Sequence, residues 1–553
     1  MSNTGVFPFF NDDNPERDFA YDWVVNKKNN VFLTGRAGAG KTTFLKLVAP
    51  QMPNSVIVAP SNAAAVQARG STIHSFFKIP PGGVILPDSS DYLYDIVHTY
   101  RAEKKILMKK LETLFVDEIS MVRCDLFDAM DQILRIVRGD ARPFGGVQVV
   151  TIGDLFQFPP VCTRDEVVIL KKYYSSPYFF ASFAFQVSAF ALVELRKIYR
   201  QSDADFVRIL NAIRVGEHSR DDINELNSRC YDPEFRPQGD DGYVFLSTHC
   251  AKVSAYNTKK LSELPGKEKI FTASVSGNFA ERAYPADNEL RLKVGAQVMI
   301  LINDYETDIS LPRQFNNGTI AYVKKISPDA IYVETVADKK KLVFERFEWT
   351  INTYSYDSLS HAVIPKPVGT FTQFPLRLSW AITIHKSQGL TLDYVIADLS
   401  AAFESGQAYV ALSRCTSLTG LKMLKPISMV SIKTSDIVKN FLSTTDNTGI
   451  KMPSLSPVTV DGSLYWCPHC DTLVFLDMFP PKCPLCSRLL IPNDSHYRII
   501  LLNPNTRKPI ATACSYDPNG YPAFIKAGTA IATETGVVPE FQTTPVPGLF
   551  SVS

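Results

Sequence analysis

Val31-Phe32-Leu33-Thr34-Gly35-Arg36-Ala37-Gly38-Ala39-Gly40-Lys41-Thr42-Thr43 is the stretch whose reading decides the fold. Val31 to Leu33 is a short apolar run, as a buried parallel strand gives. Gly35 to Thr42 fits G-x-x-x-x-G-K-[ST] at every fixed position, and Phe44, Leu45 and Leu47 follow at helical spacing. Strand, glycine loop and helix in that order are the context a phosphate-binding loop requires. The glycines let successive backbone N–H groups turn inward as an anion nest. The start of the helix adds its positive dipole end. Lys41 is placed to reach the β- and γ-phosphates of a nucleotide, and Thr42 to ligate Mg²⁺. Gly35, Ala37, Gly38, Gly40 and Thr43 complete the expected binding set, with ATP and Mg²⁺ as cofactors. A glycine-rich turn that happens to precede Lys-Thr is the bland alternative, and the flanking strand and helix disfavour it.

The chain of 553 residues is too long for one core and suggests roughly three to four domains. No apolar run approaches the roughly 18 residues of a membrane span, so no membrane partner is expected. Met1 to Asn14 lacks a basic segment followed by an apolar core, which argues against a signal peptide. Of ten cysteines, six are scattered and four form two C-x-x-C pairs. That usage suits a reducing compartment and a metal site, hence a cytoplasmic, intracellular protein, at the nucleoid in a prokaryote. Net charge is only +2, so any nucleic-acid contact must come from a local groove.

Val56 to Ala59 reads as a second buried strand, and residues 76–112 as a small, wedge-like excursion from the sheet. Leu114-Phe115-Val116-Asp117-Glu118 is a third strand with two carboxylates at its carboxyl end, the end that faces a nucleotide in a parallel sheet. Asp117 would hold Mg²⁺, and Glu118 would orient or deprotonate an attacking water. Gln148 to Ile152 is a fourth strand leading to Gln157, either a γ-phosphate sensor or a satisfied loop amide. A second α/β unit follows from about residue 200. From Gly318 short alternating runs suggest a small β-barrel.

These blocks, in this order, resemble the petite-integration-frequency (Pif) DNA helicases of superfamily one. The resemblance rests on the phosphate loop, Ala59-Pro60 with Thr72-Ile73-His74-Ser75-Phe76, Asp117-Glu118-Ile119-Ser120-Met121, and Gly153-Asp154-Leu155-Phe156-Gln157-Phe158-Pro159-Pro160. It continues at Ile198-Tyr199-Arg200-Gln201, Leu210 to Gly216, Leu292 to Met299, Asn316 to Thr319, Trp380 to Gly389 and Ala408 to Arg414, and so covers roughly residues 15–440. It implies two RecA-like α/β motor domains with parallel sheets, residues 1–195 and then 196–315 with 376–445, carrying an SH3-like β-barrel at 316–375. It implies arginine fingers at Arg200 and Arg414 acting with Lys41, Glu118 and Gln157, and nucleotide contacts from Gln388 and Gly389. Strand contacts are implied for Ser61, His74, Ser75, Phe76 (stacking on a base), Asn257, Thr383, His385 and Lys386. The activity implied is ATP-driven translocation on single-stranded DNA, 5′-to-3′, with unwinding, in replication, repair, recombination or telomere maintenance. Single-stranded and forked DNA are the implied partners, with G-quadruplex DNA a further one, and a monomer is expected. Two departures stand out. No Gln lies between Asn14 and Trp23, where the family reads adenine, so strict ATP preference is not implied. Ser61-Asn62 replaces the family's Thr-Gly.

Ser443 to Pro457 is rich in Ser, Thr, Asn and Pro, and a linker is placed at 446–462. Residues 463–553 hold Cys467-Pro468-His469-Cys470 and, after twelve residues, Cys483-Pro484-Leu485-Cys486. Four thiolates at that spacing suit a structural, tetrahedral Zn²⁺ in a zinc ribbon. The rival functions are a nucleotide-switched DNA-binding ATPase that remodels nucleoprotein without strand separation, and a zinc-ribbon binding module with a degenerate motor. Intact Lys41 and Glu118 oppose the latter, and Gln388, Gly389 and Arg414 the former.

Overall fold

The computed structural model describes residues 13–443, except 88, 202, 238–240, 305–313, 359, 401 and 403, and beyond residue 449 only short strands. Strands β1 (Asn30–Gly35), β2 (Ser55–Ala59), β3 (Ser71–Thr72), β4 (Thr113–Val116), β5 (Gln148–Ile152) and β6 (Phe190–Leu195) form one parallel sheet in the order β6-β1-β5-β4-β2-β3. Their runs are apolar on both faces because both faces are covered by helices. Val31, Leu33, Phe115 and Val150 pack on one side with Phe44, Leu45 and Val48 of helix Lys41–Val48. Phe32, Val56, Leu114 and Val149 pack on the other with Met130, Ile133 and Leu134 of helix Cys124–Arg138. The excursion folds as helices Ser90–His98 and Ala102–Lys110, whose Leu93, Leu107 and Met108 join the second of these clusters. Ile450–Lys451 adds an antiparallel strand on the outer edge of β6, so the segment expected as a linker is tied to the first sheet there.

A second parallel sheet begins with β7 (Val244–Ser247). The chain then leaves it through helix Cys250–Glu263 and builds antiparallel strands: β8 (Lys269–Thr272), β9 (Ser274–Gly277), β10 (Glu289–Leu292), β11 (Gln297–Ile300), β12 (Ile320–Ile326), β13 (Ile331–Thr335), β14 (Lys341–Phe344), β15 (Phe347–Asp357), β16 (Ala362–Gln373) and β17 (Leu376–Leu378). It returns with β18 (Ala381–Thr383), β19 (Val395–Ala397) and β20 (Leu421–Met423), giving the order β18-β7-β19-β20. The insertion is larger than residues 316–375. Its main sheet, β14-β13-β12-β11-β17, takes β11 and β17 from outside that range, and β9 pairs with β16. It runs as an open sheet from β14 to β17 beside the ribbon β15-β16-β9. The apolar alternation that marks strands carries no record of which distant strand completes each edge.

The β15–β16 ribbon reaches the first sheet. Ile57 N donates to Tyr354 Oη at 3.1 Å, Ser71 Oγ to Asn352 O at 2.6 Å, and Val363 N to Asn54 Oδ1 at 2.9 Å. Among the described residues no helix is long and apolar enough to cross a membrane. Cys470, Cys483 and Cys486 lie outside the described residues, and of Cys467 only the backbone, ending strand Ser463–Cys467, is described.

Candidate active site

β1 delivers its carboxyl end to a cleft of about 1090 Å³ that is lined by Gly38, Lys41, Glu118, Gln157, Arg200 and Arg414 among others. Gly38 and Gly40 have φ of 80° and 90°, where a side chain is strained. A Cβ on Gly38 would also sit 2.5 Å from Arg200 Cβ. Lys41 Nζ donates to Gly35 O at 2.7 Å and Arg36 O at 3.0 Å, which holds the ammonium under the loop, while Thr42 and Thr43 occupy the first helical turn. Burial lowers the Lys41 pKa, against the pull of Asp154 and Glu118.

Asp117 and Glu118 follow β4. Glu118 takes a left-handed backbone, φ 49° and ψ 45°, which turns its carboxylate out of the strand line into the cleft. Burial pushes Asp117 up to about 6. Burial first, and then the neighbouring Asp117 charge, pushes Glu118 up to about 7 against Lys41 and Arg414. A base near neutrality is what proton removal from water at physiological pH needs. Asp117 is 7% exposed; its Oδ1 accepts from Glu118 N at 2.9 Å, and it feels the charges of Lys41 and Lys46. Its carboxylate and the Thr42 hydroxyl are hard oxygen donors and fit Mg²⁺.

The second sheet domain closes the same site. Gln388 Nε2 donates to Glu118 Oε2 at 2.9 Å and Gln157 Oε1 at 3.3 Å. Arg200, between the domains, donates to Ser413 O and Gly389 O, both at 3.3 Å. Burial, then Arg414, lowers the Arg200 pKa to about 9. Arg414 is 1% exposed; its Nε donates to Val410 O at 2.8 Å and its Nη2 to Ser413 Oγ at 2.9 Å. Burial lowers the Arg414 pKa as well.

Three contributors went unassigned in the sequence. Ala37 N donates to Tyr409 Oη at 3.0 Å, so the second domain touches the phosphate loop itself. Arg214 pairs with Asp154 at 3.0 Å and Glu194 at 3.0 Å and lies over the Phe156 ring. Tyr199 N donates to Gly38 O at 2.9 Å. Each lies inside a block that carries the family resemblance, Ile198 to Gln201, Leu210 to Gly216 or Ala408 to Arg414, but nothing in those blocks marks its partner.

The residues expected to contact a DNA strand divide into two groups. Ser75, His385 and Lys386 are exposed. Phe76 is a correction: it is 1% exposed, packed edge-on against Phe77 and Tyr354 with Lys104 Nζ 3.5 Å from its ring centre, so its faces cannot take a base. Asn257 brackets Ala381 with two 2.8 Å bonds, Thr383 Oγ1 accepts from Lys386 N, and Ser61 caps helix Asn62–Gln67. His74 faces Ile79 O at 3.2 Å. His385 stacks on Phe158 across the two domains, centroids 4.1 Å apart and 11° from parallel.

A phosphate loop, a strand-end acid pair and two buried arginines where the two sheet domains meet give the layout of a two-domain phosphate-loop nucleotide-binding protein. The chain belongs to the PIF1-like helicase family, whose model matches residues 15–223. It is 33% identical over 430 residues to the ATP-dependent DNA helicase Pif1 of Bdellovibrio bacteriovorus, covering 74% of this chain and 87% of that protein. It is 33% identical over 416 residues to the human ATP-dependent DNA helicase PIF1, covering 72% of this chain; it spans 59% of that relative's length. The crystal structure of Bacteroides sp Pif1 in complex with ADP-AlF4 superposes with a TM-score of 0.72 at 36% identity, over 79% of this chain and 98% of that one. The same Bacteroides protein bound to ssDNA superposes at 0.55, with 37% identity, over 78% and 97%.

Proposed function

We propose that this chain is an ATP-dependent DNA helicase that translocates on single-stranded DNA, 5′-to-3′, and unwinds forked duplexes. One observation carries the reading most directly: Gln388 and Arg414 of the second sheet domain reach the same cleft as Lys41 and Glu118 of the first. Hydrolysis and domain closure are then one event.

In that event the loop amides and Lys41 hold the β- and γ-phosphates, and Glu118 takes the proton from the attacking water. Gln388 fixes the Glu118 carboxylate, Gln157 accepts from Gln388 and faces the γ-phosphate, and Arg200 and Arg414 stabilise charge on the transferring phosphoryl, an effect worth roughly 10³ to 10⁵ in rate. Mg²⁺ held by Thr42 and Asp117 would neutralise phosphate charge. Loss of the γ-phosphate leaves two buried guanidiniums without their anion, which favours reopening. A strand gripped by exposed polar residues of both domains, among them Ser75, His385 and Lys386, moves with each cycle. The looser match to the ssDNA-bound Bacteroides structure than to the ADP-AlF4 complex supports a rearrangement linked to DNA. The C-terminal Cys467, Cys470, Cys483 and Cys486 are proposed to hold one structural Zn²⁺, on the strength of their spacing. ATP turnover of the full chain with and without single-stranded DNA tests the reading: strong stimulation is expected, and turnover indifferent to DNA would sink it.

A further inference from the structure

Helix Asp436–Leu442 follows the second sheet in sequence, yet its last turn reaches the first domain. Phe441 stacks on Phe180, centroids 4.0 Å apart and 5° from parallel, with the Phe185 ring at 5.9 Å and the Phe32 ring at 6.3 Å. Ile450–Lys451 then pairs antiparallel with β6, Ile450 opposite Val193 and Lys451 opposite Leu192, and Ile450 packs on the apolar cluster around Ala191, Val193 and Leu195. That pairing sets a direction. Each residue beyond Lys451 steps back along β6 toward Phe190, and so toward helix Phe183–Val187, which precedes the strand. Among the described residues nothing pairs with this edge of β6 beyond Leu192. Phe183 and Val187 lie one turn apart on the helix and are 48% and 50% exposed. They are held in place: Asp128 accepts from Phe183 N at 3.2 Å and Ala184 N at 2.7 Å, and the Phe183 ring lies 5.4 Å from that of Tyr174. An open strand edge running into a fixed apolar pair is a surface that proteins cover.

We infer that the chain's own segment Met452-Pro453-Ser454-Leu455-Ser456-Pro457, which lies outside the described residues, docks along this edge of β6 and seats Leu455 on Val187, so that the C-terminal region is carried by the first sheet domain. Continuing the observed register puts Leu455 opposite Ser188, next to Val187. Proline has no N–H to offer a further strand, so Pro453 and Pro457 suit the outermost position of a sheet. The tether is short: seven steps of extended chain, at most about 24 Å, separate Lys451 from Val458, where the next strand begins. Attachment at Lys451 presents the segment to the patch at roughly millimolar effective concentration, which a second copy or a free partner would have to exceed. The location bears on the motor. β6 and β3 are the two ends of the parallel sheet, five strand spacings or about 24 Å apart, and the candidate strand contacts Ser61 and Ser75 follow β2 and β3. The C-terminal region therefore sits at the edge remote from those contacts. It moves with the first domain although in sequence it continues from the second.

The test needs no enzymatic activity. The photocrosslinking amino acid p-benzoylphenylalanine replaces Val187 in the full chain and, as a distant control, Ile106, which is 46% exposed on helix Ala102–Lys110. Heavy-isotope and ordinary chains are mixed in equal amounts and irradiated, and mass spectrometry locates the joined peptides. From position 187 the main product should join residues 452–457, and from position 106 no such product should form. Same-isotope products should outweigh mixed-isotope ones by roughly tenfold or more, as a tethered partner requires. The reciprocal chain, with the crosslinker in place of Leu455, should capture residues 183–190. Adding ADP-AlF4 and single-stranded DNA should leave the yield from position 187 unchanged, because the patch and its occupant travel together. Capture of other regions only, or no capture from position 187, would overturn the inference. Predominantly mixed-isotope products would overturn it too, making the patch an interface between two copies. Loss of the product on adding nucleotide analogue and DNA would show that the C-terminal region does not stay with the first domain.

Discussion

Replacing Arg214 by methionine should destabilise the protein far more than a surface arginine would. Arg214 and Asp154 are 3% and 0% exposed and meet at 3.0 Å, with Glu194 on the other side of the guanidinium. Burial alone would push the Asp154 carboxyl up, yet Arg214 and then Lys41 hold it below the usual carboxylate range. Removing the guanidinium leaves a buried carboxylate short of its main partner, which costs about 3–5 kcal/mol. In a domain of this size that is a fall of about 10 °C in the transition of the first sheet domain. The pH dependence fixes the cause. In the native protein the depressed Asp154 pKa contributes stability above its unfolded value, near 3.9, that is lost as pH falls through the folded value. In Arg214→Met burial is opposed only by Lys41 and the Phe156 N–H, the folded pKa rises, and the deficit should grow from pH 4 to 7. Scanning calorimetry at several pH values on both proteins, on Asp154→Asn and on Arg214→Met/Asp154→Asn measures this. The double variant, with no buried carboxylate, should recover at least half of the loss. A loss under about 1 kcal/mol, or a double variant worse than the sum of the singles, would refute the buried-pair argument.

Glu118→Gln should bind ATP yet hydrolyse it roughly 10² to 10⁴ times more slowly, since an amide cannot take the proton; near-normal single-turnover rates would remove Glu118 from the role of base. Because Glu118 titrates near 7 and acts deprotonated, kcat/KM should rise about tenfold per pH unit below that value and level off above it, a limb that Glu118→Gln must lose. Arg414→Ala and Arg200→Ala should each lower kcat by about 10³ with smaller changes in ATP affinity. Lysine should restore little at either position because an ammonium lacks the planar fork, and a fully active Arg414→Lys would count against a finger. If the proposed ribbon holds zinc, Cys470→Ser should release it, read by metal analysis of the purified chain, while leaving DNA-stimulated ATPase largely intact, since a small metal-built ribbon would depend on its metal for folding.

That the phosphate loop and the acid pair meet in one cleft was legible because each pattern is local. Residues 35–43 carry loop, lysine and hydroxyl in one run, and Asp117-Glu118 follows an unbroken apolar strand. What joins distant segments was not legible. Tyr409 meets Ala37 across 372 residues, and Arg214 meets Asp154 across 60. Nothing near either residue announces its partner. Phe76 was misread for the complementary reason: an aromatic beside His and Ser looks like a base platform until Tyr354 arrives from a ribbon far along the chain to bury it. The barrel boundaries slipped because alternation marks a strand and leaves its neighbour open, so β11 and β17 went to the motor domain. The resemblance puts Asn257 and Thr383 on the strand path, and the sequence does not show that each also ties a neighbouring backbone, because the polar side chains that bind a strand are also those that bracket a backbone.

The most direct measurement is unwinding of a forked duplex, with a single-stranded 5′ tail, by the full chain supplied with a nucleoside triphosphate. Strand separation should require hydrolysis, fail with Glu118→Gln and Arg414→Ala, and fail when only a 3′ tail is present. A chain that hydrolyses nucleotide in response to DNA but never separates strands from either tail would contradict the helicase reading and leave a DNA-responsive switch in its place.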